Sequence, residues 1–328
     1  MNKRFHRLPR NIATLCALLA LLPVVAATAS ADSELGYSRM FVFGDSLSDP
    51  GNTFADTHKT SKPPFDPLPI AGYGIGGHRF SDGRIWIEVL AQQMELTEWA
   101  KPAYRDSAFG NYAYGYARAR DFNPIPPALG ADSPSLTEQV ANWSEAGNCT
   151  GVPMDDTLFV LEIGGNDVGD AIAAFSTGND PAIIIAEAIQ SVVENVGYLS
   201  ACGARNFMVA NVPDFGLTPF ALAQGAEAAA GATFMTAQFN TFLQLALEAY
   251  FGDLNLSILD FFTISQQLSD MPPEVFSNVT GTCLTFGVVK NVYCKDRGGY
   301  LFWDVLHPTK KAHAMIAGMA VGALPDSD

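Results

Sequence analysis

Short, continuous apolar runs alternate along this chain with longer segments of helical periodicity. The runs are residues 39–43, 157–163, 207–212 and 256–260. The helical segments are residues 84–95, 181–200, 232–251 and 308–322. Apolar runs of this length are typical of strands that are buried on both faces, as in parallel sheets covered by helices. The alternation therefore predicts an α/β fold with a parallel central sheet.

Parallel sheets of this kind bind their ligands beyond the carboxyl ends of the strands. The segments at the carboxyl ends of the first three predicted strands are GDS at 44–46, GGND at 164–167 and NVPD at 211–214. All three are rich in glycine and polar side chains. The sequence therefore predicts a functional site at this edge of the sheet.

The first 31 residues have the layout of a cleavable secretory signal. Four basic side chains within the first ten residues precede an apolar stretch at 12–25 and small residues that end at Ala31. A membrane anchor is the alternative, but the stretch is short for a span and no later run is long and uninterrupted enough to cross a bilayer. We expect cleavage after Ala31, a single domain at 32–328, and secretion to a periplasm or out of the cell.

The charge balance is strongly acidic. The full chain carries a formal charge of −15, and the predicted signal holds four basic groups and no acidic ones, so its removal makes the charge more negative. Nucleic acids and anionic membranes need cationic contacts, which disfavours both as partners. Neutral lipids and sugars stay compatible with this charge.

Four cysteines remain beyond the predicted signal: Cys149, Cys202, Cys283 and Cys294. An even number in an exported chain predicts two disulfides. Three pairings are open, and we favour Cys283–Cys294, which are close in sequence, with Cys149–Cys202 as the second. No Cys-x-x-Cys pair is present, so neither a zinc site nor a redox motif is indicated.

The segment FGDSLSDPGN at 43–52 places Ser46 directly after the first predicted strand. Backbone N–H groups of a following turn or helix can stabilise an oxyanion there, and a serine becomes nucleophilic when a base lies nearby. The alternative is that Ser46 or Ser48 merely caps the next turn.

Two further segments could complete such a site. Asn166 in IGGND offers a neutral amide donor to an oxyanion, although Gly, Asn and Asp also form ordinary turns. In WDVLHPT, Asp304 lies three residues before His307 and can orient its imidazole. Pro308 also fits the first position of a helix, and the two interpretations are compatible.

These segments, in their order along the chain, resemble the conserved blocks of the GDSL, or SGNH, family of serine ester hydrolases. Residues 43–52 are similar to the first block, 164–167 to the family's Gly-x-Asn-Asp block, and 304–308 to its Asp-x-x-His-Pro block. The segment RFSDGRIW at 79–86 is similar as well. The resemblance extends over nearly the whole chain beyond the predicted signal.

The weakest match is NYAYGYA at 111–117, which resembles the family's Asn-Phe-Ala-x-Gly-Gly-Ala segment. That segment supplies a backbone N–H to the oxyanion hole. Here Tyr116 replaces the second glycine. The resemblance therefore leaves two candidate donors, Gly115, which we favour, and Tyr116.

The resemblance implies a three-layer α/β/α sandwich with a flavodoxin-like sheet, and a reaction that needs no cofactor and no metal. It implies Ser46 as the nucleophile, His307 as its base and Asp304 as the group that orients the base. The backbone amide of Ser46, a backbone amide at Gly115 and the side chain of Asn166 would form the oxyanion hole.

The implied substrates are lipid or simple acyl esters, including lysophospholipids. The alternatives are an O-acetyl esterase acting on polysaccharides, an acyltransferase acting on membrane lipids, and a silent binding protein that keeps the fold. We expect a monomer without a stable membrane anchor, whose partner is a small acyl ester, a lipid or an acetylated sugar.

Two features invite other interpretations. Gly72, Gly74 and Gly77 match the spacing of a dinucleotide fingerprint, but they follow a proline-rich stretch and not a strand, so we expect a loop. Residues 58 and 78 are histidines without partners at ligand spacing. We expect His313 on the surface of the last helix.

Overall fold

The computed structural model describes residues 36–57, 77–122, 133–150, 153–285 and 292–325. The predicted signal with its cleavage site at Ala31 lies outside the described residues, as do His58, Gly72 and Gly74.

The central sheet consists of parallel strands. In spatial order they are β1 (Arg39–Gly44), β2 (Thr157–Glu162), β3 (Asn206–Ala210) and β4 (Asn255–Leu259). Outside β1, the Val42 N–H donates to the Gly110 carbonyl (2.9 Å) and the Tyr112 N–H to the Val42 carbonyl (2.7 Å). This parallel segment extends the sheet beyond β1 and gives the flavodoxin-like order.

Helices cover both faces of the sheet. They are α1 (Asn52–Thr57), α2 (Trp86–Gln93), α3 (Leu136–Glu145), α4 (Gly165–Thr177), α5 (Pro181–Ala201), α6 (Pro219–Leu222), α7 (Ala226–Phe251), α8 (Phe261–Ser269) and α9 (Lys310–Val321). Alternate strand residues point to opposite faces. Phe41 and Phe43 pack with α3, α5 and α7, whereas Met40 and Val42 pack with α2, α8 and α9. The predicted α/β/α sandwich is thereby confirmed.

The sequence periodicity located the main strands to within about two residues, but it missed several elements. Helices α3, α4 and α8 were not predicted, and α7 begins six residues earlier than expected, at Ala226. Short strands follow α8: β5 (Asn278–Thr282), β6 (Leu284–Thr285), β7 (Val292–Tyr293) and β8 (Tyr300–Phe302). They pair as β5 with β8 and β6 with β7.

Helix α5 begins with two favourable signals: the Asp180 side chain accepts a hydrogen bond from the Ala182 N–H, and Pro181 occupies the first turn. Among the described residues this helix alone is long and apolar enough, by length and composition, to cross a membrane. Glu187 and Glu194 interrupt its sequence, so the expectation that no later apolar run is both long and uninterrupted is not contradicted. Val192 and Val196 of α5 lie in the core against the sheet, which explains the apolar face of a core helix.

Both favoured disulfides are formed. Cys149–Cys202 joins the segment after α3 to the end of α5, and Cys283–Cys294 links the β6–β7 pair across 11 residues. The first closes a loop with a sequence separation of 53 residues. Since a disulfide stabilises mainly by restricting the unfolded chain, the longer loop is expected to contribute more.

We therefore expect the double substitution Cys149→Ser with Cys202→Ser to lower the free energy of unfolding by about 4 kcal/mol. The matched double substitution at Cys283 and Cys294 should cost about 3 kcal/mol. Denaturant titration of both variants measures the difference.

The two disulfides also predict the number of free thiols. Thiol labelling of the unreduced, denatured wild type should find no free cysteine in the mature chain. Stoichiometric labelling would contradict both disulfides.

Candidate active site

The side chains of Ser46, His307 and Asp304 form a continuous hydrogen-bonded chain. His307 Nε2 lies 2.7 Å from Ser46 Oγ. His307 Nδ1 lies 2.8 Å from Asp304 Oδ2 and 3.0 Å from Oδ1. Ser46 is half-buried, whereas His307 and Asp304 are buried. A carboxylate at Nδ1 makes that nitrogen the donor and leaves Nε2 to accept the serine proton.

Asp304 and His307 lie on one tight turn between β8 and α9. Asp304 Oδ1 accepts hydrogen bonds from the N–H groups of Leu306 (2.7 Å) and His307 (2.8 Å). The Trp303 N–H donates to the His307 carbonyl (2.7 Å). These bonds close the turn and bring the carboxylate under the imidazole, which explains the three-residue spacing.

The segment at 79–86 supports this turn from outside. The Phe80 ring packs on the His307 imidazole with a centroid separation of 5.2 Å. Ser81 Oγ donates to the Pro308 carbonyl (2.9 Å). This segment thus holds the histidine in place without contributing a reactive group.

Ser46 stands on the turn that follows β1. Gly44 is required there, because a Cβ atom would lie 2.3 Å from the Glu162 carbonyl oxygen. Beneath the turn, Ser48 Oγ donates to Glu162 Oε2 (2.8 Å) and accepts from Trp86 Nε1 (3.1 Å). Ser48 is therefore a buried structural serine, and Ser46 is the one that faces His307.

The carboxyl groups of Asp45 and Glu162 are buried together next to the serine turn. Burial raises the pKa of Asp45 to about 6. Burial also raises the pKa of Glu162 well above its ordinary value, and the neighbouring charge of Asp45 raises it further. Two carboxylates in one dry site disfavour double ionisation, so the pair retains a proton at neutral pH.

Asn166 is the second residue of α4. Its Nδ2 donates to the Ala117 carbonyl (2.9 Å), and the amide group has a second N–H available for a ligand. The adjacent Asp167 accepts from the Ala119 N–H (2.8 Å) and from Arg120 Nε (3.0 Å). Burial raises the pKa of Asp167 to about 6. This network ties the start of α4 to the segment after residue 116.

The backbone amide of Gly115 points into the protein. It donates to Asp49 Oδ2 (3.0 Å) and to Thr53 Oγ1 (2.9 Å). A Cβ at this position would lie 2.3 Å from Phe80 Cζ, so glycine is required for close packing. This geometry argues against the expected role of the Gly115 amide as an oxyanion donor.

Tyr116 has a backbone φ of 67°, in the left-handed region that favours glycine. Tyr116 occupies the position of the second glycine in the family's Asn-Phe-Ala-x-Gly-Gly-Ala segment. The left-handed backbone at this position explains why the family segment has glycine there. Tyr116 keeps that conformation with a side chain that packs on Phe80.

Ser46, Asn166 and His307 line one pocket. Its remaining wall is formed by Asp45, Leu47, Gly165, Val212, Pro213, Phe215, Thr218 and Leu306. Most of these side chains are apolar, so Ser46 and His307 open onto a surface suited to a hydrocarbon chain or a methyl group.

The structure overturns the expectation for His313 and adds Glu162 to the site. His313 is 1% exposed and not on the surface, and its Nδ1 accepts from the Trp86 N–H (3.2 Å). The sequence analysis did not single out Glu162. A charged residue inside an otherwise apolar strand could have identified it as a residue with a specific role. Over the ranges described, no group of three or more His, Cys, Asp or Glu side chains is arranged to hold a metal ion.

Comparison with known proteins gives consistent matches. A model of the family described as GDSL-like lipase/acylhydrolase matches residues 40–318. A GDSL esterase/lipase of Arabidopsis thaliana is 24% identical over 319 residues, which cover 86% of this chain and 85% of the relative. The thermolabile hemolysin of Vibrio parahaemolyticus is 26% identical over 295 residues, covering 85% of this chain and 62% of the hemolysin.

Two solved structures are similar over most of their length. A lipolytic G-D-S-L family protein from Veillonella parvula covers 87% of this chain and 96% of its own, with a TM-score of 0.43 and 14% identity. A variant of an acetyl xylan esterase from Geobacillus stearothermophilus covers 88% and 95%, with a TM-score of 0.43 and 11% identity.

The buried carboxyl pair predicts how stability depends on pH. Its folded-state pKa values are raised, so its contribution to stability is fully present below the ordinary carboxyl pKa and is lost as pH rises through about 6 and above. Glu162→Gln keeps the shape of the protonated group but has no proton to lose. We expect the fall in Tm between pH 5 and pH 8 to be smaller in this variant than in the wild type.

Glu194→Gln, on the exposed face of α5, is the matched control and should leave that fall unchanged. The pKa of Asp167 is also raised, so part of the pH dependence of Tm persists in every variant. An identical pH dependence in Glu162→Gln and the wild type would show that Glu162 holds no proton.

Proposed function

The chain belongs to the GDSL-like lipase/acylhydrolase family and is a carboxylic ester hydrolase, and we propose that Ser46, His307 and Asp304 carry out its reaction. The observation that supports this assignment is the 2.7 Å contact between His307 Nε2 and Ser46 Oγ, with Asp304 on the other imidazole nitrogen. The three groups have the geometry of a nucleophile, its base and the carboxylate that orients the base.

In the proposed mechanism, Ser46 Oγ attacks the ester carbonyl carbon while His307 Nε2 takes its proton. Asp304 stabilises the imidazolium that forms. The carbonyl electrons move to oxygen, and the tetrahedral intermediate collapses as His307 gives the proton to the leaving alcohol. Water then attacks the acyl-enzyme while His307 takes its proton, and His307 returns that proton to Ser46 Oγ as the bond between Oγ and the acyl carbon breaks and the acid leaves. An alcohol in place of water would give acyl transfer.

The negative oxygen of the intermediate needs donors. We assign this role to the Ser46 backbone N–H and to the Asn166 side chain, which line the same pocket as the nucleophile. We propose the backbone at 115–116 as the third contributor, as the family resemblance implies. Because the Gly115 amide donates to Asp49 and Thr53, we assign the third donor to the Tyr116 amide.

We propose acyl esters, including lipid esters and lysophospholipids, as the substrates. The support is the apolar wall of the catalytic pocket, formed by side chains such as Leu47, Phe215 and Leu306. Removal of an acetyl group from a polysaccharide is the second candidate, since this pocket also accepts a methyl group.

We also propose that the protein is exported as a monomer with cleavage near Ala31. The two disulfides support this location, because disulfides persist in oxidising compartments. The acidic net charge supports a neutral small ester as the partner and not a nucleic acid.

The nucleophile can be identified by substitution and labelling. Ser46→Ala should fold as the wild type does and lose esterase activity by several orders of magnitude. A serine-directed phosphonate should modify the wild type on Ser46 alone, as mass spectrometry of the digest would show. Ser144→Ala serves as a control and should react normally. Modification of Ser48 in the wild type would refute the assignment.

The roles of Asn166 and Asp304 can be separated by pH. Asn166→Ala removes an uncharged donor, so kcat should fall about 10²–10³-fold with KM and the pH midpoint little changed. Asp304→Asn removes the anion that favours the imidazolium, so the acid limb of the kcat/KM profile should move to lower pH as the rate falls. Equal shifts of the midpoint in both variants would show that Asp304 does not orient the base.

A further inference from the structure

A second cavity lies beside the catalytic pocket, between the serine turn and helices α8 and α9. The residues of α8 and α9 that line it are Phe261, Ile264, Ser265, Leu268, His313 and Ile316. Its volume is about 60 Å³. Since one water-sized position needs about 10–15 Å³, the cavity holds about four to six non-hydrogen atoms.

The two cavities share part of their walls. Leu47, Pro213, Thr218 and Leu306 line both of them. Leu47 directly follows the nucleophile Ser46, and Leu306 directly precedes the base. The second cavity therefore adjoins the site at which the ester bond would be cut, and the two are separated only by these shared side chains.

The polar side chains in this wall direct their hydrogen bonds into the protein. Ser265 Oγ donates to the Phe262 carbonyl (2.8 Å), and Thr218 Oγ1 to the Phe215 carbonyl (2.7 Å). Asp214 Oδ1 accepts from the Gly216 N–H (3.0 Å). Groups satisfied in this way offer little to a polar ligand, so the cavity presents hydrocarbon surface.

His313 adds one polar group to this surface but no charge. Burial lowers its pKa to about 3, so the imidazole is neutral at working pH. Its Nδ1 accepts from the Trp86 N–H, which places the ring proton on Nε2. Nε2 has no hydrogen-bond partner among the described residues, so the wall has one neutral donor and no cation.

We propose that this cavity binds the acyl chain of the substrate and selects chains of about four to eight carbons; this inference rests on the proposed function. The chain would extend from the carbonyl held at Ser46, past Leu47 and Leu306, towards Ile264 and Leu268. Each methylene buried there contributes about fourfold to binding. An acetyl group ends before it reaches the cavity, so acetyl esters gain nothing from it.

The test fills the cavity from α8. Ile264 is 9% exposed and lines the cavity, and Ile264→Trp introduces a larger side chain into it. We expect kcat/KM for nitrophenyl hexanoate to fall at least tenfold, while kcat/KM for nitrophenyl acetate changes less than about twofold. Leu268→Ala enlarges the cavity and should shift the preference towards decanoate.

Ile189→Trp is the matched control, because Ile189 is also 9% exposed but lies on α5, in the opposite layer of the sandwich. It should leave the hexanoate-to-acetate ratio unchanged. Thermal unfolding of all three variants shows whether they fold. A ratio unchanged in both Ile264→Trp and Leu268→Ala would overturn the proposal.

A binding measurement separates this proposal from the proposed function. Hexanoic acid should bind to the Ser46→Ala protein by calorimetry, and Ile264→Trp in that background should abolish binding. The wild type could instead remove acetate from acetylated xylan and discriminate against hexanoate esters. That result would overturn the proposal that the cavity binds an acyl chain, but it would leave the proposed ester hydrolase function intact. Failure of the phosphonate to modify Ser46 would instead overturn the proposed nucleophile.

Discussion

The arrangement of the site depends on a buried polar cluster beneath the serine turn. Asp45, Ser48 and Glu162 are each almost inaccessible to water, and a buried polar group is costly unless it is hydrogen-bonded. Ser48 meets this condition by bridging Glu162 and the indole N–H of Trp86, which ties β1, β2 and α2 together. A shift of the turn would break these bonds in a dry environment. The cluster therefore fixes the position of Ser46 although it takes no part in the reaction.

The turn that carries Asp304 and His307 is held in position in a different way. The carboxylate of Asp304 accepts two backbone N–H groups of its own turn in addition to the imidazole N–H, so one side chain sets both the backbone and the ring orientation. Phe80 covers the ring from the other side. The two halves of the site come from opposite ends of the chain and meet at the contact between Ser46 and His307. Each half is held by its own hydrogen bonds, so this contact needs little further organisation.

The sequence was sufficient for the four parallel strands, for the covering helices α2, α5, α7 and α9 and for the spacing of the candidate catalytic side chains, because periodicity and block order are local properties. It was not sufficient for the direction of a backbone amide. Whether the Gly115 N–H faces a ligand or the interior depends on Asp49 and Thr53, which are more than sixty residues away in sequence. His313 was misplaced for a related reason: α9 is rich in alanine and glycine, so its periodicity does not define which face is buried.

The positions of Leu47 and Leu306 link reactivity to substrate choice. Each is the direct neighbour of a residue to which we assign a catalytic role, and both line the candidate catalytic pocket and the cavity beside it. The turns that carry the proposed nucleophile and base would therefore also form the proposed passage for the acyl chain, and substitutions there would disturb both properties together. The far wall belongs to α8 and α9, which carry none of the reacting groups. A change in chain-length preference can thus arise in those helices while the hydrogen bonds of the two turns are preserved.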